Sequence, residues 1–394
     1  MCGSVHCPYD RRVAVSERYE GSPIMARKSS SSKIRYAVVG LGNITQVAVL
    51  PAFKSTRNSE LVALVSDDPE KRKALGQKYG IPQVFSYDEY DQVLNQVDAV
   101  YLGLPNHMHR EYTVRAANAG VHVLCEKPMA VNEEECNAMI DAAEANRVKL
   151  MIAYRLHFEK GNLDAIRIVS SQKLGHPRIF TAAFAQQVKP DNVRVTEPVS
   201  RGGGPVYDMG VYCINAARYL FRSEPLKVMA VSANNGEKRF SKVEEMTSVI
   251  LYFPDERLAS FTCSFGGADI SHYTVVGTKG VMTYDPAFDY SVPLTQTVTI
   301  GAKQSKREFA KRDQFAAEIL YFSDCILNRR TPEPSGLEGL ADIRIVRAIY
   351  ESARTGKAVS LAPFAEKKRP SLRQEIQRPA QGKPRLVNSE SPGR

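Results

Sequence analysis

No apolar run in this 394-residue chain reaches the roughly 18 to 20 residues that a bilayer-spanning helix needs. That removes a helical membrane anchor from consideration. With 43% hydrophobic residues, the chain has the means to bury sizeable cores as a globular protein. There is no C-x-x-C, and no Cys/His cluster has zinc-finger spacing. No metal is therefore expected. The seven cysteines are odd in number and irregularly spaced, as free thiols in a reducing compartment would be. Arg11-Arg12 is not followed by the apolar core of about 7 to 15 residues that an export signal carries. The expectation is a cytoplasmic protein whose natural start is Met25, with residues 1–24 upstream. A basic face on the folded body is also lacking. Of the net charge of +10, residues 1–33 supply +3 and residues 366–394 supply +5, which leaves +2 for the rest. Specific nucleic-acid binding is not indicated, and only a salt-sensitive contact through the tails stays open. No internal repeat is visible.

What is present begins at Ile34. Short β-branched runs at 34–40, 60–66, 98–104, 121–126 and 149–154 alternate with segments of helical spacing at 69–80, 109–120 and 132–147. Asn132 with Glu135 fits a helix cap, and Gly80 and Gly120 fit helix C-termini. The alternation predicts a parallel sheet with helices on both faces. From about residue 155 the rhythm changes. A helical stretch, 157–173, precedes a strand at 178–188, and "RGGGP" (201–205) leads into a helix at 206–222. Consecutive β-like runs then fill 227–285, which predicts a mostly antiparallel sheet open on one face. Helices at about 308–328 and 336–355 close the body. Four segments result: a flexible N-terminal segment, 1–33; a dinucleotide-binding domain, 34–154; a substrate and oligomerisation domain, 155–364; and a flexible basic tail, 365–394.

"AVVGLGNITQV" (37–47) follows the first strand and opens a helix, as a dinucleotide-binding turn must. Gly40 permits the tight turn. Gly42 lets the backbone approach a pyrophosphate, which the N–H groups of Asn43 and Ile44 face at the helix start. Thr45 stands where a third glycine is expected. At the end of the second strand the chain reads Ser66-Asp67-Asp68-Pro69-Glu70-Lys71-Arg72. Ser66 leaves room for a ribose 2′-phosphate that Lys71 or Arg72 neutralises, whereas an inward Asp67 would repel it. The balance favours NADP, with NAD as the alternative.

Ligands of open α/β sheets lie outside the carboxyl ends of the strands. "LPNHMH" (104–109) and "CEKPM" (125–129) fall there and bring Leu104, Asn106, His109, Glu126 and Lys127 to one rim, where they are expected to contact the cofactor. Asp208 and Tyr212 are four apart in the helix of "GGGPVYDMGVYCINAARYLF" (202–221) and share a face. A phenol beside a carboxylate and an ammonium has the chemistry to exchange a proton with a substrate alcohol. Read singly, Lys127 is more often a surface lysine, and the Asp208–Tyr212 pair reads first as a capping Asp with a buried Tyr.

Taken together, "CEKPMA", "GGGPVYDMGVYCINAARYLF", "YRLHF" (154–158) and "GTKGVMTYDP" (277–286) resemble the Gfo/Idh/MocA oxidoreductases. The likeness is to the glucose-fructose oxidoreductase-like branch, in which a tyrosine stands at the position of Tyr212 where many members carry histidine. It runs over about 34–364. It implies a Rossmann domain, then an α/β domain with a large, mostly antiparallel open sheet that serves in a homodimer or homotetramer. It implies Lys127, Asp208 and Tyr212 as the catalytic set, Ser66 and Lys71 at NADP-selecting positions, Arg155 at the cofactor, and Arg194 or Arg201 at the substrate. The reaction it implies is hydride transfer between a sugar or polyol and NAD(P). The rivals are reduction of an imine, an enone or a bile-pigment bond on the same fold, and a non-catalytic nucleotide sensor.

Overall fold

The computed structural model describes residues 33–364, 369–391 and 393. The N-terminal segment, with Cys2, Cys7 and Met25, lies outside the described residues.

Six strands form the first sheet: β1 (Ile34–Val39), β2 (Ser59–Val65), β3 (Gln83–Phe85), β4 (Ala99–Leu102), β5 (His122–Glu126) and β6 (Leu150–Ala153). All pairs are parallel, in the order β3-β2-β1-β4-β5-β6. Near-continuous Val, Leu and Ala suit strands buried on both faces. The order reverses direction between β1 and β4, which places a ligand crevice at their carboxyl ends. The expected caps are in place: Asn132 Oδ1 accepts the Glu135 N–H at 2.8 Å, and Gly80 and Gly120 have φ of +68° and +75°.

The second sheet has nine strands: β7 (Pro177–Ala185), β8 (Lys227–Ala233), β9 (Met246–Phe253), β10 (Arg257–Ser264), β11 (Ile270–Gly277), β12 (Gly280–Tyr284), β13 (Leu294–Ile300), β14 (Lys303–Phe309) and β15 (Val359–Ser360). The order is β14-β13-β12-β11-β7-β10-β9-β8-β15. Only β10 with β7 runs parallel. The helices Lys160–Ser170 and Val211–Phe221 lie against one face. The other face leaves Ile179, Met229, Val231, Ile250, Tyr252, Leu258 and Ile270 exposed.

Three expectations need correction. The hairpin β13–β14 was not anticipated, and the helix placed from about 308 starts only at Gln314. "KQSKREF" is an exposed edge strand whose charges hide the alternation of a half-buried one. Next, the Gln314–Leu327 helix belongs with the first sheet. Phe315, Ile319 and Phe322 pack there with Ile34, Tyr36 and Leu64, and the Tyr36 hydroxyl meets Ser323 Oγ at 2.8 Å. Burying such side chains contributes about 1.5–3 kcal/mol each. Finally, the tail expected to be flexible is extended and docked from residue 369. Arg369 pairs with the half-buried Glu224, Gln374 donates to Glu333, and the Gln381 amide donates to Ser55 Oγ at 2.7 Å. Polar composition suggested a solvated tail, but here the polar groups find partners on the body.

One buried histidine gives the first domain a pH dependence. His122, at the start of β5, accepts the Lys149 N–H on Nδ1 at 2.8 Å. Burial, with Lys149 adding to it, pushes its pKa down to about 4. Between that value and the ordinary 6.5, the unfolded chain binds a proton that the fold refuses, so stability falls as pH drops through this window. The full loss is about 3 kcal/mol. In His122→Asn an amide oxygen replaces Nδ1 as acceptor, and the decline of the thermal midpoint from pH 7 to pH 4.5 is expected to flatten. An unchanged slope would remove His122 as its source.

Candidate active site

The glycine turn folds as its residues require. Gly40 has φ +88°, and a Cβ there would stand 2.5 Å from the Gly103 oxygen. The missing third glycine is compensated across the sheet. Thr45 is fully buried, and a side chain at position 103 would meet its Oγ1 at 2.4 Å, so Gly103 supplies the space that position 45 gives up. The helix opens as a π-turn, Thr45–Val49. In front of Gly42 nothing lies within 4 Å of where a Cβ would be. This open cradle at a helix start, next to Asn43 and Ile44, fits a pyrophosphate.

At the end of β2, Ser66 is buried, and its Oγ accepts the Asp68 N–H at 3.3 Å. Asp67 turns to the loop after β3 and accepts the Tyr87 N–H at 2.9 Å. Asp68 caps the Pro69–Tyr79 helix through the N–H groups of Glu70 and Lys71. Those bonds hold its carboxyl below the usual range. Arg72 donates to the Ser66 carbonyl, and Lys71 Nζ lies 3.9 Å from Asp68. Arg72 thus sits at Ser66 and Lys71 at the neighbouring Asp68, while the carboxylate of Asp67 is occupied elsewhere. This arrangement fits a 2′-phosphate.

The rim residues divide. Leu104 is buried near the turn. Asn106 donates its amide to the Gly202 carbonyl at 2.7 Å and so ties the rim to the "GGG" loop. His109 is fully buried, with its ring nitrogens against the carbonyls of Pro128 (3.0 Å) and Leu104 (2.9 Å). It fastens two loops and keeps no nitrogen for a ligand, which corrects its reading as a cofactor contact. Glu126 accepts from the Tyr101 hydroxyl at 2.6 Å and from the Lys127 N–H at 3.2 Å; burial raises its pKa.

Lys127, Asp208 and Tyr212 come together. Lys127 Nζ donates to Asp208 Oδ1 at 3.1 Å and to the Asp208 carbonyl at 2.9 Å, and lies 4.6 Å from the centre of the Tyr212 ring. Asp208 sits in a π-turn, Val206–Gly210, that runs into the Val211–Phe221 helix. The ring of Tyr212 packs against Phe184 and Phe288. Arg155 is buried, donates to Gln314 Oε1 and to the Phe288 carbonyl, and lies 5.0 Å from the Tyr212 ring centre. Of the two arginines expected at the substrate, Arg194 reaches the cluster, with Nε 2.8 Å from Asp208 Oδ2. Arg201 turns to Glu197 and His107. Burial works against charge on Lys127, but Tyr212 and Asp208 outweigh it and raise its pKa. For Asp208 burial is likewise outweighed, by Arg194 and Lys127, and its pKa is lowered. The pair is therefore an ammonium and a carboxylate at neutral pH. No group of metal-binding side chains occurs among the described residues.

Two contributors, Gln46 and Val387, were not legible in the sequence. Gln46 is buried beside the glycine turn, where its amide donates to the Leu41 carbonyl at 2.9 Å. Its partner on the other side comes from the C-terminal segment, more than three hundred positions away, and no local signal links the two.

Two family profiles match the chain. The one described as an oxidoreductase family with an NAD-binding Rossmann fold covers residues 34–154, and the GFO/IDH/MocA C-terminal domain covers 163–283. An uncharacterised oxidoreductase of Rhizobium meliloti is 32% identical over 82% of this chain and 98% of its own length. An NADP(+) D-xylose 1-dehydrogenase of Haloferax volcanii is 30% identical over 83% of this chain and 99% of its own. Among solved structures, an aldose-aldose oxidoreductase from Caulobacter crescentus, complexed with glycerol, is 38% identical with a TM-score of 0.80 over 84% of this chain and 100% of that one.

Proposed function

Because this chain belongs to the Gfo/Idh/MocA oxidoreductase family, we propose that it oxidises or reduces an aldose or a related polyol with NADP as hydride partner. The observation that carries the reading is the contact of Lys127 with both Asp208 and Tyr212. When bound, the nicotinamide accepts or supplies the hydride. The protein residues handle the proton. Lys127 is held as a cation and Asp208 as an anion, an electrostatic pair beside the Tyr212 ring. Tyr212 carries the proton: as the phenolate it takes the hydroxyl proton while the substrate carbon is oxidised, and as the phenol it returns one when the carbonyl is reduced. The Lys127 ammonium stabilises the alkoxide that develops beside it. Asp208, gripped by Lys127 and Arg194, fixes the geometry of the set. Arg155 lines the same hollow as Lys127 and Tyr212.

NADP is favoured over NAD by Arg72 and Lys71 at Ser66 and by the diversion of Asp67 to Tyr87. Sugar substrates are supported by the two named sugar oxidoreductases among the relatives. No described helix is long and apolar enough to cross a membrane. The five described cysteines are free thiols, which suits the cytoplasm. The exposed apolar face of the nine-stranded sheet suits a homodimer or homotetramer.

The test is a titration of NADP⁺ and NAD⁺ followed by a panel of aldoses and polyols, read as nucleotide reduction at 340 nm. Reduction of NADP⁺ by at least one aldose is expected. Arg72→Ala should raise KM for NADP⁺ about tenfold or more through the lost charge-assisted bond, and leave that for NAD⁺ nearly unchanged. Absence of turnover across the panel would overturn the substrate reading, and equal effects on both nucleotides would overturn the role of Arg72.

A further inference from the structure

The C-terminal segment runs along the edge of the cleft in which the cofactor is placed. From Gln381, fixed to Ser55, it passes the Pro69–Tyr79 helix, where Lys78 Nζ donates to the Arg385 carbonyl at 2.9 Å. Val387 then pairs with Gln46 in both directions: the Gln46 amide donates to its carbonyl at 2.9 Å, and its N–H donates to Gln46 Oε1 at 2.8 Å. Gln46 also holds the Leu41 carbonyl, so the segment is tied to the glycine turn through a single buried side chain. One residue on, the Asn388 amide donates to Asp68 Oδ2 at 3.1 Å and to Glu70 Oε2 at 2.9 Å, beside Ser66. Glu390 pairs with Lys189, and Gly393 bridges to Val188.

Those last partners belong to the other lip. Phe184, which packs on Tyr212, ends β7 with Ala185, and the chain continues directly to Val188 and Lys189. Two residues of extended chain span at most about 7 Å. The step from Asn388 to Glu390 therefore joins the ribose end of the nucleotide cleft to the substrate side by a very short link. The root is held as well, since Arg369 is paired with the half-buried Glu224. The segment crosses the cleft and leaves the space in front of Gly42 open, where the pyrophosphate is placed.

We infer that residues 385–391 form a strap that closes over bound NADP(H), lengthens its residence and couples nucleotide release to the parting of the two lips. This rests on the NADP reading above. Release then requires the bonds of Val387, Asn388 and Glu390 to open together, whereas binding contacts below the strap are unaltered.

The experiment is a stopped-flow chase of NADPH fluorescence from the full-length protein, from Asn388→Ala combined with Glu390→Lys, and from a chain ending at Gly382. The double variant keeps the whole backbone and places a cation against Lys189. Loss of the two anchors is expected to speed NADPH release about tenfold or more, with association changed much less. Shortening the chain should do the same. Unchanged release in the double variant, with nucleotide bound, would overturn the strap and leave the cofactor reading intact. Tighter binding after shortening would overturn it too, since the segment would then be a plug in the nucleotide's place. Failure of the unaltered protein to bind NADPH at all would bring down the cofactor reading and the strap with it.

Discussion

Lys127→Met is expected to lower kcat/KM about a thousandfold while leaving the fold and nucleotide binding in place. Methionine keeps most of the chain length and packs against the Tyr212 ring, but it removes the cation that pairs with Asp208 and lies over that ring. Arg194 still neutralises Asp208 through the other carboxylate oxygen, so the variant is not left with an unpaired buried charge. The loss should therefore appear in turnover and not in the thermal midpoint. Tyr212→Phe is the companion. The ring retains Phe184, Phe288, Lys127 and Arg155 as neighbours and loses only the hydroxyl. A fall of about a hundredfold or more in kcat is expected, with the pH dependence of kcat altered because the proton carrier is gone. Turnover within threefold of the unaltered protein in both variants would remove this set from the chemistry.

The second large effect separates two glycines that look alike in sequence. Gly42→Val should fold and yet bind NADP⁺ about a hundredfold more weakly or not at all, because the added methyl groups occupy the open seat of the pyrophosphate. Gly40→Ala should fail earlier. Its backbone stands at φ +88°, and its Cβ would lie 2.5 Å from the Gly103 oxygen, so the turn itself must deform. Thermal melting and nucleotide titration, measured side by side, read the difference. If Gly42→Val binds nucleotide normally, the pyrophosphate does not sit in that turn.

The glycine turn, the parallel sheet and the open antiparallel sheet were legible because each rests on a local pattern, whereas the Lys127–Asp208–Tyr212 set was named by the family resemblance. Apolar runs mark β1, β2 and β4, and a four-residue spacing puts Asp208 and Tyr212 on one face. What was not legible depends on distant partners. His109 reads as a ligand-facing residue until the carbonyls of Leu104 and Pro128 are seen to enclose its ring. The orientation of Asp67 is decided by Tyr87, twenty residues away. The strand Lys303–Phe309 carries mostly polar and charged residues because only one edge of it is paired. The tail reads as solvated because its hydrogen bonds go to Gln46, Asp68 and Glu333, which no nearby residue announces.

The return of the Gln314–Leu327 helix to the first sheet sets a timetable for biosynthesis. The strands of that sheet are complete once Ala153 has been made, but the helix that covers Ile34, Tyr36 and Leu64 ends roughly 170 residues later. At about 5–20 residues per second, the nascent sheet waits on the order of 10–30 s with that apolar side uncovered. Ribosome-bound chains halted before residue 314 are consequently the stage of synthesis most in need of a chaperone.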